Sequence, residues 1–159
     1  MKQQYKLLPW KLIVSGFGSG YIPLAPGTMG SLGALIPAIL ILKMTSSPNL
    51  ILLILIVIFT VLGIAGAEKL KYSWGKDPSR IVVDEMVGMW ISLLWIGNNN
   101  ILFIAAFLLF RLFDIYKPLG IRKMEELPGG MGVMADDMLA GIYANLVIRL
   151  TVFIFSFFV

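Results

Sequence analysis

Five apolar blocks organise the chain, at about residues 28–42, 49–67, 81–96, 101–116 and 135–159. Apolar residues fill each block instead of recurring as one amphipathic stripe, so the predicted elements are helices enclosed by lipid or by one another. A bilayer core of ~30 Å asks for about 20 helical residues. The second and fifth blocks supply that length, while the other three are short and need protein neighbours. The pattern predicts an all-α fold, an integral membrane helical bundle of about four to five spans, forming a single domain over residues 1–159. Residues 1–15 are basic and apolar by turns, with Pro9 and Lys11 interrupting the apolar run. They read as an amphipathic segment on the membrane, not as a cleaved signal.

Polar and small residues break two of the blocks at every fourth position. Arg80, Asp84, Gly88 and Ser92 form one stripe, and Asp137, Gly141 and Asn145 another; such stripes face the interior of a bundle. Asp77-Pro78 reads as the N-cap and first residue of the third helix, which places Asp84 and Glu85 about two turns further in. A helix starting near Ile81 would instead make them ordinary first-turn acids that compensate the dipole. Arg111 and Asp114, three apart, fit an intrahelical ion pair. At the start of the fifth block one acid suffices for a cap, so one of the adjacent Asp136 and Asp137 points elsewhere.

Composition narrows the chemistry. A hydrophobic fraction of 58% exceeds what a soluble core of 159 residues needs. The net charge of +4 comes without a basic run interleaved with aromatics, so membrane lipid, and not nucleic acid, is the expected partner. With a cytoplasmic N-terminus and five crossings, the inner segments hold Lys2, Lys6, Lys11, Lys69, Lys71, Lys76, Arg80, Lys117, Arg122 and Lys123, and the outer ones only Lys43. All nine acidic residues fall in or beside the same inner segments. Cysteine and histidine are absent, which excludes disulfides, thiolate zinc sites, cysteine nucleophiles and imidazole bases. Carboxylates brought to one leaflet by three helices repel unless they are protonated or a cation bridges them, and oxygen ligands suit a hard divalent ion such as Mg²⁺.

The stretch "GFGSGYIPLAPGTMGS", residues 16–31, holds five glycines, two prolines and no charge. Placed at the cytoplasmic start of the first span, it offers free backbone N–H groups and the hydroxyls of Thr28 and Ser31. A helix start of this kind suits phosphate. Together with Lys117 and Arg122 on the same cytoplasmic side, it makes the expected ligand a phosphate at the cytoplasmic lipid interface.

Together with "IVVDEMVGMW", "FRLFDIYKP" and "GGMGVMADDMLAG", that loop resembles the phosphatidylglycerophosphatase A family, in the same order and over residues 16 to about 146. The resemblance implies a helical, Mg²⁺-dependent phosphatase of the bacterial inner membrane, active on its cytoplasmic side. It would remove the terminal phosphate of phosphatidylglycerophosphate. The family's motif acids correspond to Asp84, Glu85, Asp114, Asp136 and Asp137. Within that frame Asp84, Asp136 and Asp137 are expected to hold the metal, with Asp114 or Glu85 completing the shell or taking a proton from water. Arg111, Lys117, Arg122 and the loop at Thr28 and Ser31 are expected to hold phosphate oxygens. The DxDxT pattern of aspartyl-phosphate enzymes is missing, so water activated by the metal is favoured over a covalent intermediate. Two rivals have a footing in the same acids. A CDP-alcohol-type headgroup transferase lacks its DG…AR…G…D…D pattern here, and an ion or proton carrier would place acids near the midplane, away from one face.

Overall fold

The computed structural model describes residues 2–74 and 79–158. Among these the chain forms seven α-helices and no strand: α1 (Lys2–Val14), α2 (Pro26–Met44), α3 (Pro48–Trp74), α4 (Val83–Ser92), α5 (Asn100–Tyr116), α6 (Ile121–Met124) and α7 (Gly130–Phe155). The all-helical expectation holds. By length and composition α2, α3 and α7 can each cross a membrane, and α5 is close to that length with 17 residues. Their outer faces carry exposed Leu40, Ile54, Val57, Val61, Ile104, Leu108 and Leu146, the surface a helix presents to hydrocarbon.

The third apolar block folds differently from the other four. α4 has only ten residues, and all of them except Glu85 are buried. At ~1.5 Å per residue it is about 15 Å long, half a bilayer core. It needs no more, because α2, α3, α5 and α7 pack around it and replace lipid as its apolar surroundings. Its Trp90 indole N–H donates to the Ala34 carbonyl of α2 at 3.0 Å.

The start of α4 decides between the two sequence readings, against the start at Asp77-Pro78 and for the one near Ile81. Asp77 and Pro78 lie outside the described residues, and the helix begins at Val83, so Asp84 and Glu85 occupy its first turn. Residues 81–82 lead in with non-helical backbone because the Val82 N–H donates to the Val14 carbonyl, 2.8 Å away at the end of α1. α1 lies along α3, with Val14 and Trp10 against Gly66 and Lys69 4.0 Å from the Trp10 ring.

The two four-step stripes meet each other. α4 and α7 run parallel, with Asp84 beside Asp137 at one end. At the other end the Asn145 amide of α7 donates to the carbonyls of Ser92 and Leu94, at 3.1 and 2.6 Å. Between them Gly141 lies against the Gly88 carbonyl, where a Cβ has no room. Small residues let two backbones approach this closely, as in membrane helix pairs generally. Asn145 thereby ties off the end of α4, whose last carbonyls lack helical partners. Asn145→Leu keeps the bulk but strands both acceptors, and a loss of about 1–3 kcal/mol is expected. Thermal unfolding in detergent reads this as a lower midpoint, and an unchanged midpoint would show that the amide is dispensable.

The remaining contacts sort the helix ends into two faces. The starts of α2, α4 and α7 and the ends of α3 and α5 share one, through Gly27 against Glu85, Glu68 on the Gly130 N–H and Lys117 on Asp136. The opposite face joins Lys43 to Asn100, Asn49 to the Trp95 N–H and Arg149 to the Trp95 ring.

Candidate active site

The first face contains a cavity of about 350 Å³, walled by Asp84 and Glu85 from α4, Asp114 and Lys117 at the end of α5, and Asp136 and Asp137 from α7. Three elements thus deliver all five acids expected from the sequence to one place. Asp84, Glu85 and Asp137 come closest, each offering a carboxylate oxygen within 4.8 Å of the others. Asp84 Oδ1 also accepts the Glu85 N–H at 3.0 Å, which fixes its rotamer in the first turn.

The other two acids are held by cations. Arg111 Nη1 lies 2.5 Å from Asp114 Oδ2, one turn along α5, as the spacing predicted. Lys117 Nζ lies 2.6 Å from Asp136 Oδ2 and 2.5 Å from Glu125 Oε1. So Glu85 joins Asp84 and Asp137 in the tight group, while one oxygen of Asp136 is engaged by lysine. The other oxygen, Asp136 Oδ1, is buried without a hydrogen-bond partner, as are Glu85 Oε2 and Asp137 Oδ1.

Lys117 reaches Asp136 because the chain turns sharply there. It caps α5 in the left-handed region, at φ 47°, a costly conformation for a residue with a Cβ. Leu119 repeats it at φ 52°. Burial pulls the Lys117 ammonium down, but Asp136 and Glu125 outweigh burial and hold it above a lysine's ordinary value. It therefore remains a cation beside the acids.

The glycine-rich loop reaches the site through α2. Gly27 sits so close to the Glu85 carboxylate that a Cβ would overlap it, with Arg111 Nη1 3.3 Å from the same point. Ser31 spends its hydroxyl internally, donating to the Gly27 carbonyl at 2.8 Å and accepting from Arg111 Nη1 at 3.4 Å. Ser31 thus props Arg111. Thr28 is half-buried in the same first turn of α2, beside Gly27, and Arg122 is exposed on α6; neither lines the cavity.

Sequence reasoning passed over Glu125, Ser79 and Glu68. Glu125 and Ser79 line the cavity, from turns without a periodicity to mark them. Glu68 had a signal: an acid near the C-terminal end of a helix is misplaced against the dipole and so invites a partner elsewhere. That partner is the start of α7, where Glu68 Oε1 accepts the Gly130 N–H at 2.9 Å and anchors the turn leading to Asp136 and Asp137.

The donor set suits a cation. Three carboxylates converge, buried carboxylate oxygens among them lack hydrogen-bond partners, and histidine and cysteine are absent from the chain. A hard divalent ion with oxygen ligands fits that arrangement.

Comparison with known proteins gives a consistent picture. Phosphatidylglycerophosphatase A of Escherichia coli is 39% identical over 137 residues, covering 84% of this chain and 78% of that protein. The Haemophilus influenzae protein of the same name is 42% identical over 151 residues, covering 93% and 91%. A Bacteroides thetaiotaomicron protein named as a candidate phosphatidylinositol-3-phosphatase is 51% identical over 149 residues, covering 86% and 89%. No solved structure matches. The family model described as Phosphatidylglycerophosphatase A matches residues 12–152, a stretch that contains the loop, α4, most of α7 and all six acids of the cavity. With that span matched, the chain belongs to the phosphatidylglycerophosphatase A family.

Proposed function

We propose that this protein is a Mg²⁺-dependent lipid phosphatase that hydrolyses phosphatidylglycerophosphate to phosphatidylglycerol and inorganic phosphate. The observation that carries the reading is the convergence of Asp84, Glu85 and Asp137 within 4.8 Å, inside a cavity that also holds a lysine. The names of the Escherichia coli and Haemophilus influenzae relatives support the substrate. The cavity face is assigned to the cytoplasm of a bacterial inner membrane, because the described loops at that face carry most of the cations. The whole chain acts as one membrane-embedded domain of four to five spans, with residues 1–15 at the lipid surface.

Asp84, Glu85 and Asp137 would hold the ion, and Asp136 has Oδ1 available to complete the set. When bound, the ion supplies Lewis acidity, withdrawing charge from the phosphoryl group and lowering the pKa of adjacent water. Asp114 lines the cavity outside the tight group and takes the proton of the attacking water, with Arg111 fixing its orientation. Lys117 holds phosphoryl oxygens, where a fixed positive charge counts most as the transition state spreads negative charge over them. Thr28 and the first-turn N–H groups of α2, which adjoin Glu85 through Gly27 outside the cavity wall, add donors for the approaching headgroup, and Arg122 draws the anionic headgroup toward the cavity. The phosphorus–oxygen bond to the glycerol breaks, and the departing oxygen takes a proton from solvent.

Phosphate release from phosphatidylglycerophosphate by the purified protein tests this. Release is expected to stop in EDTA and return with Mg²⁺, with Ca²⁺ supporting little because its larger, looser shell positions water poorly. Full release in chelator would remove the metal from the mechanism. The name of the Bacteroides relative favours a second reading, the 3-phosphate of an inositol lipid. Faster release from that lipid would move the substrate assignment there. Headgroup exchange with a CDP-linked lipid and an alcohol, without phosphate release, would point to a transferase.

A further inference from the structure

A second cavity, of about 300 Å³, lies at the face opposite the acids. Its walls are Trp95, Ile148, Val152 and Phe153, with Arg149 and Ser156 as the polar members. Its floor is the buried Ile96 and Ile148, and Trp95, Arg149, Val152 and Phe153 stand exposed around its rim. Trp95 is held at φ 56°, left-handed backbone, by its N–H donating to Asn49 Oδ1 at 2.9 Å. That turn sets the indole so that the Arg149 guanidinium lies 6.0 Å from its ring centroid, within cation–π range.

The charge of Arg149 is unanswered. Among the described residues it has no carboxylate partner. Every described acid sits toward the other face, and Asp137 is about 18 Å away along α7 at ~1.5 Å per residue. The other cation at this face, Lys43, already donates to Asn100 at 2.9 Å. An arginine in a membrane helix is costly and marks an anion or a polar path unless it only snorkels. Here it stands at the rim of an apolar pocket, beside an interfacial tryptophan, where the chain turns at the end of α4. An apolar cleft with one fixed cation at its mouth matches a phospholipid: acyl chain against Ile148, Val152 and Phe153, phosphodiester on the guanidinium. With no acidic side chain among the described residues at this face to cancel the charge, a net anionic lipid fits better than a zwitterionic one.

We propose that the pocket between Trp95 and Arg149 binds one anionic phospholipid of the leaflet opposite the acid cavity. The site is separate from the phosphatase chemistry and does not depend on it.

Native mass spectrometry of the full-length protein in detergent, titrated with phosphatidylglycerol or phosphatidylcholine, measures this directly. Wild type is expected to retain phosphatidylglycerol in preference to phosphatidylcholine. Arg149→Gln is expected to weaken phosphatidylglycerol retention about tenfold or more and to erase the preference, while Arg149→Lys keeps part of it. Val152→Trp, which fills the cleft from its exposed side, is expected to weaken both lipids. Asp137→Asn should leave retention unchanged, and inorganic phosphate should not compete. Unchanged phosphatidylglycerol retention in both Arg149→Gln and Val152→Trp would overturn the proposal and leave Arg149 as a snorkelling residue. Loss in Asp137→Asn alone would place the lipid at the acid cavity and overturn it equally, and displacement by inorganic phosphate would make the ligand a free anion.

Discussion

Asp137→Asn is expected to lower turnover about a hundredfold or more, on the order of 3 kcal/mol of transition-state stabilisation, in a protein that still folds and inserts. Asp84→Asn should behave alike, because its carboxylate belongs to the same group within 4.8 Å. Neither acid caps its helix, since α4 is entered from Val82 and α7 from Gly129, and asparagine preserves the shape of aspartate, so a purely structural role would survive either change. Thermal unfolding in detergent separates the explanations further. Three converging carboxylates repel one another without an ion, so Mg²⁺ should raise the wild-type midpoint by binding the folded form and raise that of the variants much less. The metal-free Asp137→Asn protein should unfold at the same temperature as metal-free wild type or slightly higher, since one repelling charge is gone. Near-normal turnover in both variants would make the acids structural and the proposed site wrong.

The second large effect is expected at Gly141, which touches no substrate. A Cβ there falls on the backbone of Gly88, and backbone has no rotamer through which to yield. Gly141→Ala should therefore push α4 away from α7 and cost about 1–3 kcal/mol, the range for overfilling a packed interior. Turnover should fall with stability, because the same two helices hold Asp84 and Asp137. Gly33→Ala is the control: it too is a helix glycine, with nothing within 4 Å of the added carbon, and alanine there should be neutral or mildly stabilising. Equal midpoints for the two variants would mean that the helix pair tolerates separation.

Much of this arrangement was legible in the amino-acid pattern. Blocks without a polar stripe announced helices enclosed on all sides, and the four-step runs from Asp84 and Asp137 marked the two faces that meet. The absence of His and Cys left carboxylates as the main candidate ligands. What the pattern did not carry was the division of labour among the acids. Asp136 pairs with Lys117 only because the chain turns through left-handed backbone at Lys117 and Leu119, and neither residue is the glycine or asparagine that usually signals such a turn. The start of α4 was ambiguous for a related reason. Asp77-Pro78 has the composition of a helix start, whereas the real start follows from Val82 giving its N–H to Val14, a contact between segments far apart in sequence. Glu68 shows the converse, a local electrostatic misfit that made sense only once a distant helix start came into reach.

The shortness of α4 bears on how the protein is made. A ten-residue helix cannot be recognised during synthesis as an independent crossing, since an insertion machine that releases segments sideways into lipid selects for about 20 apolar residues. Its buried carboxylate and serine would also be poorly tolerated by bare hydrocarbon. α4 is then expected to enter together with α5 as a hairpin and to find its place only after α2, α3 and α7 have gathered to receive it. Assembly of the acid cluster would be a late event in biogenesis, so a nascent chain halted before α7 would be anchored in the membrane yet unable to bind the ion.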